Sequence, residues 1–581
     1  MNPGRRLRWM VRVLLLLLSV AVGGVLAEGI LGLLDLHGPL PAFLTRDQYL
    51  AMVSSEERAR LKSELPEGFF FARDVDGMGP FPIPPGRFAI EKPAGIFRIF
   101  AFGGSTTYGL PFTQAAGRKK DLSFPSWLRL RLKGRFAGRP IEVHNVGAIG
   151  QTFEGAVQFA KECLHYQPDA FLFYSGHNEY LPHALLLARA RARSSFVLRA
   201  GSPFLDYRLG RLWQNWMVSI QERVNPRVGT LDFPVVERMV DACYHTEEES
   251  EVMRTGYRRC LEGLWADCRR AGVRLILCTV ACNLVDFEPS LSCPSSKASE
   301  SDRQRWTDAL RATRDLLRGG DARGSLNLLD ALDPAAQGLA EACFIRGRAQ
   351  LELGLREKGL LNLKEARDRD GVVRRAPSWV NEELRASSDR HPEILKVDLE
   401  QEFEAGDLQA LPGRLWFFDH VHPNRAGTAK IVDALERAIV ESRWLGEAGM
   451  PERRSTEQEL NELGYIPEMI GAVHSTQALA YGGLILLRLY DARDRLAEAR
   501  ALIEAIPAAG SAFQRNAQVL LGLLEVLAGE QDSGKARLEA LRSRSPREVK
   551  DLIQSFLDRA QSPVIRDIFR RAGLCPFESK D

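Results

Sequence analysis

The sequence predicts an α/β protein: a three-layer, doubly wound parallel sheet carrying inserted and C-terminal helical segments. Three observations lead there. Short apolar runs of strand length recur between residues 96 and 399, stretches of helical period separate them, and glycine-containing turns close several of them. In order, Ile96–Ala101 (IFRIFA) leads to Gly103-Gly104, and Ile141–Val146 (IEVHNV) alternates and is followed by glycine. Ala170–Tyr174 (AFLFY) runs into Ser175-Gly176. Val273–Val280 (VRLILCTV) follows the helix-like stretch Tyr257–Ala271, and Ile394–Leu399 (ILKVDL) is the fifth candidate strand. Strands separated by helices imply parallel crossover units.

Composition narrows the function classes. A chain of 581 residues, 45% hydrophobic and 26% charged, is neither disordered, collagen-like nor a polytopic membrane protein. Lys and Arg number 78 against 75 Asp and Glu, so the basic excess expected of a nucleic-acid partner is missing. Nine cysteines are too sparse for a disulfide scaffold. Cys282 and Cys293 are near enough in sequence to bridge in an oxidising compartment, while Cys243, Cys260 and Cys268 read as small core hydrophobes. No Cys or His pair has a zinc-ligand spacing in a suitable context, so neither metal nor cofactor is expected.

At the N-terminus Arg5, Arg6, Arg8 and Arg12 precede the apolar run Val13–Ala27. Residues 1–27 therefore read as an export signal. The first reading is an uncleaved signal anchor in the membrane with the rest of the chain extracytoplasmic; the alternative is secretion after cleavage behind Ala27. Residues 28–90 form a lead-in, and 91–302 the first part of the α/β domain. An insertion at 303–372 shows a 34-residue repeat in Gly320/Gly354, Leu326/Leu360 and Leu329/Leu363, the spacing of tetratricopeptide helix pairs. Gly347, Gly359 and Ala366 suit close helix contact. Residues 373–445 complete the domain, and 455–581 read as further helical repeats. An earlier insertion, Leu181–Ser250, has no clean period.

Ligands of open parallel sheets bind at the carboxyl ends of the strands. There this sequence places Gly103-Gly104-Ser105, then Asn145 to Thr152, then Gly176-His177-Asn178-Glu179, and finally Asp419-His420-Val421-His422. A serine hydroxyl needs an adjacent base, which His422 supplies, and Asp419 orients the imidazole. An oxyanion needs preorganised donors, and the N–H groups of Ser105 and Gly150 with the Asn178 amide provide three. Taken singly, the Gly-Gly-Ser turn is an ordinary turn, and Asp419 is a candidate cap for a helix over Arg425–Glu441. His177, His245 and His420 read as solvated or hydrogen-bonded histidines.

In this order the four blocks resemble those of the SGNH hydrolases, the GDSL-type esterase/lipase superfamily, over about residues 96–180 and 270–445. The resemblance implies a flavodoxin-like sheet, Ser105 as nucleophile, Gly150 and Asn178 in the oxyanion hole, and Asp419 with His422 completing the triad. Gly150 is preferred to Gly147 because Gln151-Thr152 follows it. Two positions depart from the pattern: GGST replaces GDSL, and Glu179 stands where aspartate is usual. The expected activity is a serine esterase removing a small acyl group, most plausibly acetyl, from a carbohydrate or cell-envelope glycan. An O-acyltransferase with the same triad and a helical-repeat binding scaffold with a vestigial site are the alternatives. The repeats imply a protein partner. Because the insertion leaves after the fourth strand, Arg303–Asp370 is expected beside the site.

Overall fold

The computed structural model describes residues 42–52, 58, 61–62, 64–72, 83–115, 120–181, 245–294, 298–450, 454–465 and 511–544. The chain divides into two compact units. In one, only residues 245–253 are described; the other holds every element that follows from residue 254 on and everything described before residue 182.

Five parallel strands form the central sheet: β4 (Phe97–Gly103), β5 (Ile141–Asn145), β6 (Ala170–Tyr174), β7 (Arg274–Cys278) and β8 (Leu395–Val397), in the order β5-β4-β6-β7-β8. Three short strands precede them, β1 (Phe43–Thr45), β2 (Phe69–Ala72) and β3 (Arg87–Ala89), paired antiparallel. The central strand β6 is an unbroken apolar run because both its faces are covered. Successive residues of β6 show this: Tyr174 meets Phe124 of α2 (Phe124–Arg135) at 5.8 Å, and Phe173 meets Phe153 of α3 (Phe153–Cys163) at 5.4 Å. Neighbouring side chains on a strand point to opposite faces, so α2 and α3 flank the sheet on its two sides. Within the small sheet, Phe43 and Phe88 pack on Phe100 of β4, which makes the predicted lead-in a folded part of the core.

The chain moves from β4 outward to β5, then returns to β6 on the other side of β4. That reversal opens a crevice at the carboxyl ends of β4 and β6. The four-residue helix α1 (Ser105–Tyr108) follows β4 directly. Further along come α4 (Glu247–Ala271), α5 (Glu300–Arg318), α6 (Ala322–Asp330), α7 (Ala340–Glu352), α8 (Arg356–Asp368), α9 (Ser378–Arg390) and α10 (Arg425–Ser442).

The 34-residue spacing corresponds to helix pairs α5/α6 and α7/α8. A side chain on Gly347 would meet Leu363 Cγ at 2.8 Å and the Gly359 carbonyl at 2.9 Å, so α7 and α8 approach backbone to backbone. Thr313 and Ser325 hold the corresponding places in α5/α6, both fully buried. The pair α11 (Ser511–Ala528) and α12 (Gln531–Arg544) repeats the arrangement: a side chain on Gly522 would meet Leu538 Cγ at 2.7 Å and the Gly534 carbonyl at 3.2 Å.

One expectation is corrected. Among the described residues no helix is long and apolar enough to cross a membrane, against the expected membrane anchor and the membrane localisation built on it, although the anchor segment itself lies outside those residues. The apolar run itself gives the physical reason, since Glu28 ends it short of the ~20 residues a spanning helix needs. Residues 1–27, with the cleavage position after Ala27, lie outside the described residues, as do most of the 181–250 insertion, Cys243 and much of the C-terminal region. The pairing of Cys282 with Cys293, which the sequence leaves open, is not formed, and both are free thiols. Cys282 lies in an apolar cluster with Leu284 and Cys343, whereas Cys293 lies against Gly371.

Candidate active site

Ser105 is held by a turn made rigid from both sides. Any side chain on Gly103 would run into the Tyr174 carbonyl and Thr107, so only glycine lets β4 reach α1 this closely. Thr107 Oγ1 donates to the same Tyr174 carbonyl at 3.0 Å. From β5, Asn145 Nδ2 donates to the Thr107 carbonyl at 2.7 Å and to Ser123 Oγ at 2.8 Å, while its Oδ1 accepts from the Gly147 N–H at 2.8 Å. Beyond β5 the chain stays beside β4, with the Ala148 N–H donating to the Gly103 carbonyl at 3.0 Å.

Residues 416–424 form a tight loop between the Phe418 N–H to His422 carbonyl bond and the Asn424 N–H to Trp416 carbonyl bond, each 2.8 Å. Asp419 Oδ1 accepts from the N–H groups of Val421 (2.9 Å) and His422 (2.8 Å), a local turn that aspartate favours. Its Oδ2 lies 2.6 Å from His422 Nδ1, and His422 Nε2 lies 2.7 Å from Ser105 Oγ. Burial disfavours the charged carboxylate, but the imidazoles of His422 and His420 and the hydrogen bonds from His422 outweigh it, holding Asp419 well below the ordinary carboxylate range. Facing that anion, Nδ1 carries the imidazole proton, so Nε2 accepts from the Ser105 hydroxyl. The cap of α10 is Asn424, whose side chain accepts from the Gly427 N–H, which leaves Asp419 to its histidine.

Asn178 lies across from Ser105's neighbour: a side chain on Gly104 would collide with its amide nitrogen. One Nδ2 hydrogen goes to the Gln151 carbonyl at 3.0 Å. Gly150 has φ 75°, a left-handed conformation, and a side chain there would meet only Leu181, at 3.6 Å. Gly147, the other candidate, is closed in, since a side chain would lie 2.5 Å from the Tyr108 nitrogen. Its lack of a side chain serves packing.

Two histidines that sequence reasoning set aside stand beside His422. His177 Nδ1 accepts from the Ala376 N–H at 3.2 Å, and His420 Nδ1 lies 3.5 Å from Asp419 Oδ1. Burial, with the neighbouring imidazoles adding to it, pushes both down to about 3, so both are neutral near neutral pH. Adjacency to Asn178 and Asp419 was their only signal in the sequence. His245 lies in the other compact unit. Among the described residues no group of three or more His, Cys, Asp or Glu side chains is arranged to hold a metal ion.

Helices α7 and α8 reach the site loop. Phe344, Leu360, Leu363 and Ala366 share one apolar cluster with Val421, the residue between His420 and His422.

No protein-family model matches the chain, and no curated protein matches it in sequence. Among solved structures, LAE5, an alpha/beta hydrolase enzyme from the metagenome of Lake Arreo in Spain, aligns with 59% of this chain and 94% of its own. The identity is 14% and the TM-score 0.27.

Proposed function

We propose that this chain is a serine esterase of the SGNH type, cleaving a small acyl ester, with acetyl on a carbohydrate as the favoured substrate. One observation carries the reading: the unbroken hydrogen-bond chain from Asp419 through His422 to Ser105, at 2.6 and 2.7 Å. A hydroxyl oxygen becomes nucleophilic when its proton has somewhere to go, and here the acceptor is His422 Nε2. As Ser105 Oγ bonds to the ester carbonyl carbon, its proton passes to Nε2 and the carbonyl electrons move onto oxygen. Asp419, kept ionised, stabilises the imidazolium without taking the proton. The N–H groups of Ser105 and Gly150 and the free hydrogen of Asn178 Nδ2 are the donors assigned to the oxyanion. Nε2 then protonates the departing alkoxide, and water hydrolyses the acyl-serine by the same path in reverse.

The test is a panel of esters of increasing acyl length, with and without sugar acceptors, on wild type and Ser105→Ala. Ser105-dependent hydrolysis that is fastest for acetyl and needs no acceptor supports the reading. Turnover that requires a sugar acceptor assigns an acyltransferase instead, and activity unchanged in Ser105→Ala removes the serine mechanism.

A further inference from the structure

Glu179 is a buried carboxyl that the proposed chemistry leaves unused. It follows Asn178 directly, and the two side chains grip neighbouring points of one segment. Asn178 Nδ2 donates to the Gln151 carbonyl at 3.0 Å, and Glu179 Oε1 accepts from the Phe153 N–H at 2.8 Å. Gly150, in its left-handed conformation, begins that segment, and Phe153 begins α3, so the double grip ties the end of β6 to the whole turn between them. Nδ2 carries two hydrogens, and the one not given to Gln151 remains beside Gly104.

We infer that Glu179 is a positioning residue of the oxyanion pocket: its bond to the Phe153 N–H holds the 150–153 turn where the Gly150 N–H and the second Asn178 hydrogen converge on the substrate oxygen. The inference rests on the esterase reading. A glutamate has the reach to make this bond, and the chemistry of the pocket favours its neutral form. Burial is the main cause, and Glu154 on α3 adds repulsion, so the carboxyl is pushed up to about 8. Among the described residues the other titratable group facing it, the Tyr257 hydroxyl on α4, is itself pushed far up by burial and by Glu179, and supplies no positive charge. The Phe153 N–H favours the anion, but the cost of burying the charge is larger, so ionisation draws the carboxylate out of its place toward solvent and loosens the grip on the turn.

The experiment measures p-nitrophenyl acetate turnover and fluorophosphonate labelling of the full chain from about pH 6 to about pH 9.5. Glu179→Ala is expected to lower kcat roughly 10- to 100-fold, the scale of a small misplacement, with KM within about twofold. Glu179→Gln keeps the acceptor and removes the titration. It recovers most of the kcat lost in the alanine variant and lacks the wild-type decline in kcat/KM above about pH 8. A wild-type kcat in folded Glu179→Ala overturns the inference, as does an alkaline limb unchanged in Glu179→Gln. Should the alanine variant fail to fold, the glutamine profile decides alone. Wild type without Ser105-dependent turnover or labelling removes the esterase reading and this inference with it; Ser105-dependent turnover unmoved by Glu179→Ala removes the inference only.

Discussion

Gly104 and Asn178 touch across the crevice, the glycine's missing side chain making the space that the amide nitrogen fills. The backbone of Gly104, φ −83°, suits any residue, so a substitution meets no local strain. Its whole effect falls on Asn178. Gly104→Ala is therefore expected to push the amide away from Ser105 and lower kcat about 100-fold, as loss of one oxyanion donor does. Circular dichroism should remain that of wild type. Unchanged kcat would place the oxyanion elsewhere.

The hydrogen-bond chain predicts an order of effects. His422→Ala should cost nearly as much kcat as Ser105→Ala, because nucleophile and base act as a unit. Asp419→Ala should cost less, since it orients the base without receiving its proton. Asn178→Ala should still be labelled by a fluorophosphonate, but slowly. Rapid labelling of Ser105→Ala would identify another serine as the nucleophile.

Glu179 also predicts a pH dependence of stability. Its carboxyl titrates near 8 in the folded chain and near 4.5 as a free side chain, so between those values the folded state holds a proton the unfolded state has released. Stability then falls as pH rises across that window. Glu179→Gln should flatten the slope and raise the melting temperature at pH 8 relative to wild type, an effect of up to a few kcal/mol. Parallel curves of melting temperature against pH for the two proteins would contradict it.

The inner sheet strands were legible because a strand buried on both faces is mostly apolar, and two of these runs end near chemistry: Phe102-Gly103 before Ser105, Tyr174 before Asn178. The strands β1–β3 escaped notice, being three or four residues long and too short to show a period. Spacing and resemblance selected Ser105, Asp419 and His422, and the structure brings these three into one hydrogen-bonded chain. What sequence did not offer was the support around them. Asn145 bonding to the turn, Gly147 closed against Tyr108 and His177 bonded to Ala376 all depend on contacts between segments far apart in the chain. The membrane anchor rested on weaker ground: a basic, apolar start is common to several kinds of segment, and this apolar run is short for a spanning helix.

Val421 couples the inserted helices to the site loop. It is 3% exposed and packs with Phe344, Leu360 and Leu363, while its carbonyl accepts from Thr106 Oγ1 at 3.4 Å. Val421→Ala removes two methyl groups from that cluster and is expected to cost about 2 kcal/mol of stability. Because His422 is the next residue, kcat should fall as well, with the pH optimum unchanged. Full activity in a destabilised variant would show that the helices support the fold without influencing the triad.

The helix pairs α7/α8 and α11/α12 superpose residue for residue in their contacts. Gly347 and Gly359 cross as Gly522 and Gly534 do, Leu363 and Leu538 cover the crossings, and Gly354 and Gly529 turn each pair with positive φ. The polar rung agrees too, since Asn362 bonds to Gln350 where Arg537 bonds to Glu525. At each crossing the nearest atoms include backbone carbonyls, which cannot swing aside as a flexible side chain can. Gly347→Ala and Gly522→Ala should therefore both destabilise, by about 1–3 kcal/mol, the range for overpacking. Repeat arrays unfold by local units, so the Gly522 variant should shift the transition of the C-terminal pair while leaving ester turnover near wild type. The Gly347 variant lies under Leu363, in the cluster with Val421, and should lower both stability and kcat. Denaturant unfolding followed with turnover on the same samples separates the two. Tolerance of alanine at Gly522 but not at Gly347 would mean that the pairs share a sequence rhythm without sharing their packing.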